Sequence, residues 1–361
     1  MWHSPSALRR LTLLAGGLAV LSLGWGSYRA LTSSNDLLVR FEEWEWVVAH
    51  GWAMPGWRVP YHPVTYVLLT PLVLLPPLAA KIILWLLNLA GLVYVWRRCS
   101  QLTALAAERR WLFLALFGAW ACVRVTIGSG QLSLLCLGCL LWAFPWQTTG
   151  AGARLALGLM KHTLIYPVVL RALWKSPRAV WVTLLAALLP FGVLMACSEL
   201  NARAFLEQSL QATGKMLSGW EGGTSVVTAL RLFFPGAAWI YPVVIVAWLA
   251  LFVFLVHRVR DPLVQLAALL LMGLWPFYHR PYDLALAAPT LALFLKHGRV
   301  AWAVGLTVVL LGLFEKLDQQ HFFHAAAVRQ VFSVYYPLTI FACLAALWRL
   351  DRATIPAPPT R

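Results

Sequence analysis

Long apolar runs separated by short polar intervals occupy the whole chain. A helical membrane crossing requires roughly 20 apolar residues, and most runs reach or approach that length. They lie at 11–28, 63–80, 82–96, 125–153, 179–198, 232–256, 262–278, 300–314 and 330–348. The pattern predicts an all-α, polytopic integral membrane protein, a single domain over residues 1–361 with roughly 10–12 transmembrane segments.

Two parts of the pattern predict broken or re-entrant helices. The chain must cross the membrane an odd number of times between the first outer loop, which ends near residue 60, and the basic pair Arg97-Arg98. The second and third runs supply two crossings, which is an even number. Prolines at 71, 76 and 77 favour a half-length helix there, because proline lacks the backbone N–H and restricts the preceding residue. The segment 154–173, which Lys161 interrupts, suggests a second break. Broken backbone at membrane depth must be surrounded by protein or water, so the breaks predict an internal cavity.

Charge is distributed asymmetrically between the polar intervals. The net charge of +16 comes from 29 Lys and Arg against 13 Asp and Glu. Basic clusters flank the apolar runs at Arg9-Arg10, Arg97-Arg98, Arg109-Arg110, Lys175 with Arg178, Arg258 with Arg260, Lys296 with Arg299, and Arg349 with Arg352. Short cytoplasmic loops carry such clusters, so the pattern argues against nucleic-acid binding and for a multi-pass protein of the plasma or inner membrane. It also predicts a cytoplasmic tail over 350–361.

The carboxylates concentrate in the intervals that alternation places outside the cytoplasm. These include a first extracytoplasmic loop over 29–60 and a second large one over 199–231. The first loop contains four of the 13 carboxylates within a stretch of ten residues: Asp36, Glu42, Glu43 and Glu45. We expect hydrophilic chemistry in this loop, where a helix over 37–50 would place Glu42 and Glu45 on one face.

Short motifs follow one another in a characteristic order. They are Asn35-Asp36, Tyr61-His62-Pro63, Leu84 to Asn88, Gly130 to Leu135, Gly158 to Thr163 with Tyr166-Pro167, and Trp275 to Tyr282. In this order they resemble glycosyltransferase family 87, the polyprenol-phosphate-sugar-dependent enzymes of the GT-C superfamily. The chain departs from the family pattern at His62, His162 and His279.

The resemblance implies a GT-C-like fold and an inverting transfer of a hexose, with mannose the first expectation. The donor would be a polyprenyl-phosphate-linked sugar and the acceptor a lipid-linked or glycan hydroxyl on the extracytoplasmic face. Asp36 is the expected general base, since an exposed Asp with a pKa of about 3.9 is ionised at neutral pH. From the residues alone, Asn35-Asp36 before a helix is more typical of an N-terminal cap than of a catalytic site.

Four cationic or titratable side chains are candidates for the donor phosphate: Lys161, Arg124, Arg280 and His279. Ionisable residues in transmembrane segments cost about 2.5–3.5 kcal/mol each on insertion scales, which favours a functional role. Two alternatives stay open. Lys161 could snorkel to an interface, and Arg124 could cap a helix end.

The resemblance further suggests residues that bind the sugar or the acceptor, namely Glu42, Glu45, Tyr61, His62, Gln131 and His162. No metal or other cofactor is expected, because Lys or Arg can neutralise one monophosphate leaving group. Glu315, Asp318, His321 and His324 have metal-like spacing, but a solvated outer loop is the better interpretation.

The main alternative is a multi-pass lipid or small-solute transporter or flippase. Such a protein would share the broken helices and intramembrane cations, and would favour inverted repeats with coupling carboxylates near the midplane. We find no internal repeat, and Asp283 is the carboxylate that comes closest to such a position.

Overall fold

The structure is a computed structural model that describes residues 4–33, 37–39, 41–43, 45, 63–146, 149–197, 207, 225–275, 281–312 and 326–353. These residues form helices and turns, with no strand among them. The all-α fold predicted from the apolar runs is therefore confirmed.

Helices follow one another along the first half of the chain with short connections. They are α1 (Pro5–Thr32), α2 (Pro63–Val73), α3 (Pro77–Leu102), α4 (Ala107–Ala119), α5 (Ala121–Gly128), α6 (Ser133–Ala143) and α7 (Thr149–Gly158). Residues 37–39, 41–43 and 45 are also helical, and Leu37 and Phe41 pack into the main core. The predicted helix over 37–50 is thus present in its described part.

The second half begins with a 3₁₀ turn, Leu159–Lys161, and ends with a long helix. The helices are α8 (His162–Lys175), α9 (Pro177–Cys197), α10 (Val226–Phe233), α11 (Ile240–Arg258), α12 (Pro262–Gly273), α13 (Ala288–Lys296), α14 (Val300–Leu310) and α15 (Ala326–Ala353). A second 3₁₀ segment, Pro281–Ala287, precedes α13.

Small residues bring α1 close to α4 and α5. The buried positions of α1 are mostly small, and from Ala15 onward they recur every three or four residues: Leu8, Ala15, Ala19, Ser22, Gly26 and Ala30. A Cβ at Gly26 would lie 2.9 Å from the carbonyl oxygen of Arg124, and one at Gly118 would lie 3.2 Å from the Cβ of Ala19. Small side chains permit this close packing, which in a membrane replaces the hydrophobic driving force between helices. The order of contacts shows that α1 runs parallel to α4 and α5.

Two breaks in the helices fall where the prolines and Lys161 predicted them, after α2 and at the 3₁₀ turn Leu159–Lys161. α2 has only 11 residues and ends before Pro76, so it is too short to cross a bilayer at 1.5 Å per residue. The prediction of a half-length helix in this region is confirmed, and the number of crossings stays a prediction. The run 125–153, which reads as one apolar stretch, is instead divided among α5, α6 and α7.

Three helices of the described residues, those that begin at Pro5, Pro77 and Ile240, are each long and apolar enough to cross a membrane. α4 and α5, bent by 62°, would together form a fourth span. Several other helices are apolar but shorter. The protein is a polytopic membrane protein, and the total of 10–12 segments stays a prediction.

The basic clusters converge at one end of the bundle. Arg109 donates to the carbonyls of Leu295 and Lys296 at the end of α13, each at 3.0 Å. Arg98 donates to the carbonyls of Leu141 and Phe144 at the end of α6. Cations that donate to the last carbonyls of a helix stabilise its end. The clusters therefore serve both the charge asymmetry and the packing.

The loop boundaries differ slightly from those predicted. α1 continues through Thr32 into the predicted loop 29–60, and α10 occupies the end of the predicted loop 199–231. α15 likewise extends to Ala353, past the predicted start of the tail at 350. The assignment of these intervals to one side of the membrane stays a prediction.

Candidate functional site

Three interruptions in the helices meet in the interior. They are the turn between α5 and α6, the 3₁₀ turn Leu159–Lys161, and the 3₁₀ segment Pro281–Ala287. Each contributes a polar side chain that is buried: Gln131, Lys161 and Asp283. Irregular backbone at membrane depth is tolerated where protein surrounds it, and residues at such breaks can place polar side chains in the interior. The interruptions thus bring three buried polar side chains together in the interior.

Lys161 lies at the centre of this cluster. Its ammonium donates to Oδ1 of Asp283 at 2.6 Å and to Oε1 of Gln131 at 3.3 Å, and it lies 4.4 Å from the centre of the Tyr282 ring. The side chain is 6% exposed. Lys161 therefore does not snorkel to an interface, and that alternative is wrong.

Asp283 receives a second donor in addition to Lys161. Oγ of Ser133, the first residue of α6, donates to the same Oδ1 atom at 2.8 Å. The Asp283 residue is only 4% exposed. Removing one partner of a buried ion pair typically costs about 3–5 kcal/mol, because the other charge is left uncompensated. The pair therefore fixes the relative positions of the two 3₁₀ segments.

Gln131 presents an unused donor to the same region. Lysine can only donate, so the atom of Gln131 that faces Lys161 must be the amide oxygen. The amide nitrogen, Nε2, is buried and has no hydrogen-bond partner in the described part of the chain. A buried polar atom left without a partner costs about 1–3 kcal/mol, and such an atom calls for an explanation.

The backbone around Lys161 is held by close contacts. A Cβ at Gly273, the last residue of α12, would lie 1.8 Å from the carbonyl oxygen of Leu164 in α8. Oγ1 of Thr65 in α2 donates to the carbonyl of Met160 at 3.1 Å. Only glycine permits the first of these approaches. The position of Lys161 therefore depends on packing from two other helices.

The remaining predicted site residues are distributed as follows. Asp36, Tyr61, His62, His279 and Arg280 lie outside the described residues, as does the side chain of His162. The metal-like positions Glu315, Asp318, His321 and His324 also lie outside them.

In the described part of the first loop, Glu42 and Glu45 are exposed whereas Glu43 is buried. Arg124 lies within α5, half-buried, with its backbone against Gly26 of α1. Of the predicted site residues, the structure brings Lys161 and Gln131 together.

Sequence reasoning missed Asp283, Ser133 and Tyr282 as members of the site. One signal was present: a lysine inside an apolar segment requires an anion, although the sequence does not indicate which of the 13 carboxylates supplies it. Nothing in the sequence indicates Ser133, which enters only because α6 begins beside the second 3₁₀ segment.

Comparison with known proteins identifies one family. The model of a family described as glycosyltransferase family 87 matches residues 60–279, more than half of the 361-residue chain. Neither the curated proteins nor the solved structures contain a match to this chain. The matched region includes Gln131, Ser133 and Lys161, and it ends four residues before Asp283.

Proposed function

The chain belongs to glycosyltransferase family 87, and from this we propose that it moves a hexose from a polyprenyl-phosphate-sugar donor to a lipid-linked or glycan acceptor. Mannose is the first choice of sugar. The reaction takes place on the extracytoplasmic face of the plasma or inner membrane and inverts the anomeric configuration. The family supports sugar transfer over the transporter or flippase alternative.

In the proposed reaction, an acceptor hydroxyl attacks the anomeric carbon from the face opposite the phosphate. The carbon–oxygen bond to the phosphate breaks, and its electron pair leaves with the polyprenyl phosphate. Asp36 takes the proton of the attacking hydroxyl, a contribution typically worth about 10²–10⁴-fold in rate. The phosphate gains one negative charge, so donors that meet this charge accelerate the step.

One observation carries the proposal beyond the family: a buried ammonium and an unused amide donor lie side by side at Lys161 and Gln131. Phosphate and sugar oxygens are acceptors that such a pair can bind. An apolar ligand would leave the amide donor of Gln131 unsatisfied. A lipid phosphate bearing a sugar supplies acceptors at one end and an apolar chain for the membrane at the other.

The Lys161–Asp283 pair has no net charge when both groups are ionised, and this bears on the remaining candidates. A phosphodiester donor carries one negative charge, and the released monoester carries up to two. We therefore propose that Arg124, Arg280 and His279 supply further positive charge. No metal is required in this scheme.

Asp36→Asn tests the proposed base. We expect the variant, reconstituted in nanodiscs with a synthetic polyprenyl-phosphate-mannose and a lipid extract as acceptor, to lose at least about a hundredfold in transfer. Donor binding and melting temperature should stay unchanged, because asparagine preserves the shape of the side chain. Transfer is measured by mass spectrometry of both lipid products.

Glu108→Gln is the matched control, because Glu108 is exposed in the first turn of α4 near the basic end of the bundle. Full transfer by the Asp36 variant would remove this residue from the mechanism. Cleavage of a glucose or arabinose donor in place of mannose would change the sugar alone, whereas solute movement with no bond cleavage would contradict the proposed function.

A further inference from the structure

We propose that Asp283 is a positioning residue of this transfer reaction. Its carboxylate holds the ammonium of Lys161 in one place, so that this ammonium is already positioned when the donor phosphate binds. This inference rests on the proposed function. It concerns a residue that lies beyond the region matched by the family model.

The first support is the geometry of the pair. A single oxygen of Asp283 accepts from Lys161 at 2.6 Å and from Ser133 at 2.8 Å. Ser133 belongs to α6 and Lys161 to the 3₁₀ turn after α7, so the carboxylate ties two separate parts of the chain together. A flexible lysine with four rotatable bonds loses its freedom in this arrangement before any ligand binds.

The second support is the way in which Asp283 is itself held. Its 3₁₀ segment packs against α5 and α6, and Oγ1 of Thr126 in α5 lies 3.4 Å from the carbonyl of Tyr282. The ring of Tyr282 lies against the Lys161 ammonium. The 3₁₀ segment that carries Asp283 is therefore held by α5 and α6, and Asp283 in turn positions Lys161.

The third support is the donor that the pair leaves beside it. Oε1 of Gln131 accepts from Lys161, which orients the amide and sets its buried nitrogen on the other arm of the same planar group. The carboxylate, ammonium and amide thus form a connected chain. A ligand oxygen that accepts from this amide completes the hydrogen bonding of the chain.

A buried charged lysine needs such a partner, because an uncompensated charge in the interior is costly. Because Asp283 acts through Lys161, its loss should matter only while Lys161 is present. A purely structural residue would instead lower the stability of the protein and leave transfer per folded molecule unchanged.

The test is a double-mutant cycle on transfer with Lys161→Met, Asp283→Asn and the combined variant. We expect Asp283→Asn to raise the donor KM and to lower kcat/KM roughly tenfold or more, since truncating one partner of a buried charge pair has effects of this size. In the Lys161→Met background the same change should have no further effect. Asp283→Glu should recover most of the activity, because it retains the carboxylate.

Melting temperature provides a second cycle that does not depend on the donor. Each single variant leaves a buried charge without its partner and should melt at a lower temperature, whereas the neutral combination should recover much of the loss. Ser133→Ala offers a milder perturbation that keeps both charges. It should produce a smaller shift of the donor KM in the same direction.

Asp351→Asn is the matched control. Asp351 is a buried carboxylate that accepts from the backbone N–H groups of Arg260 and Asp261 near the basic end of the bundle. We expect the effects of Asp351→Asn on transfer and on melting temperature to add to those of Lys161→Met.

The inference is overturned if Asp283→Asn transfers like the parent protein, or if it lowers transfer equally with and without Lys161. If the parent protein does not cleave a polyprenyl-phosphate-sugar at all, the proposed function fails. The melting-temperature cycle then still tests whether Asp283 and Lys161 act as a pair.

Discussion

At the scale of single residues, two buried glutamines show how differently the same side chain is used. Gln265 in α12 is fully satisfied: it accepts from Nε of Arg171 at 2.7 Å, and its amide nitrogen lies near the carbonyls of Leu255, Val256 and Val259. Gln131 has an amide nitrogen with no partner in the described structure. A satisfied polar group stabilises the fold, whereas an unsatisfied one is retained at a cost in stability.

Because of this contrast, we expect replacement by methionine to impair sugar transfer at Gln131 and protein stability at Gln265. Gln131→Met should lower the melting temperature little, because the removed amide is only half satisfied, while the KM for the donor or the acceptor should rise about tenfold. Gln265→Met should lower the melting temperature by several degrees because it leaves several buried groups unpaired. Its transfer per folded molecule should stay at the parent level. Equal transfer by the two variants would remove Gln131 from the site.

At the scale of elements, the interruptions in the helices determine where polar groups enter the interior. The turn after α5, the turn before α8 and the segment before α13 each expose backbone that a continuous helix would satisfy internally. The distances between these three interruptions depend on tight packing between neighbouring helices. The approach of α12 to α8 at Gly273 is the closest of the glycine contacts in the described structure.

Gly273→Ala should separate α12 from α8. An added Cβ would lie 1.8 Å from the Leu164 carbonyl oxygen, so the helices must shift at a cost of about 1–3 kcal/mol or more. Leu164 is three residues from Lys161, and we therefore expect both the melting temperature and the transfer rate to fall. Gly305→Ala in α14 is the control, because nothing lies within 4 Å of its added Cβ. Identical melting curves for the two variants would contradict this packing.

At the scale of the whole molecule, charge and helix direction are consistent with one orientation. α1 begins beside Arg9 and Arg10 and runs parallel to α4, which begins beside Arg109 and Arg110. The opposite end of α1 accepts a hydrogen bond from Lys81 of α3 at the carbonyl of Ser33. If short basic segments are cytoplasmic, Ser33 faces the outside.

Two cysteines placed at the ends of α1 test this orientation. In intact cells, a membrane-impermeant maleimide should label Ser33→Cys, whereas Ser4→Cys should react only after the membrane is permeabilised. The parent protein, with its native cysteines, gives the background. Labelling of Ser4→Cys alone in intact cells would invert the predicted orientation and place the proposed chemistry on the cytoplasmic face.

Much of the architecture followed from composition and local chemistry. The apolar runs predicted helices because a chain in lipid must satisfy its backbone within each segment, and the prolines before α3 predicted the half-length α2. The order of short motifs predicted the family. These features depend on residues close together in the chain, and such features can be read from one sequence.

The partner of Lys161 could only come from the tertiary structure. Lys161 and Asp283 are 122 positions apart, and no local rule selects that carboxylate from the 13 in the chain. The same holds for Ser133 and for the close approach of Gly273 to Leu164. The sequence by itself determined that a cation stands inside the membrane domain and that the chain resembles a glycosyltransferase. Packing of distant segments decided that this cation is paired, because the energy of a buried charge depends on which groups the fold places beside it.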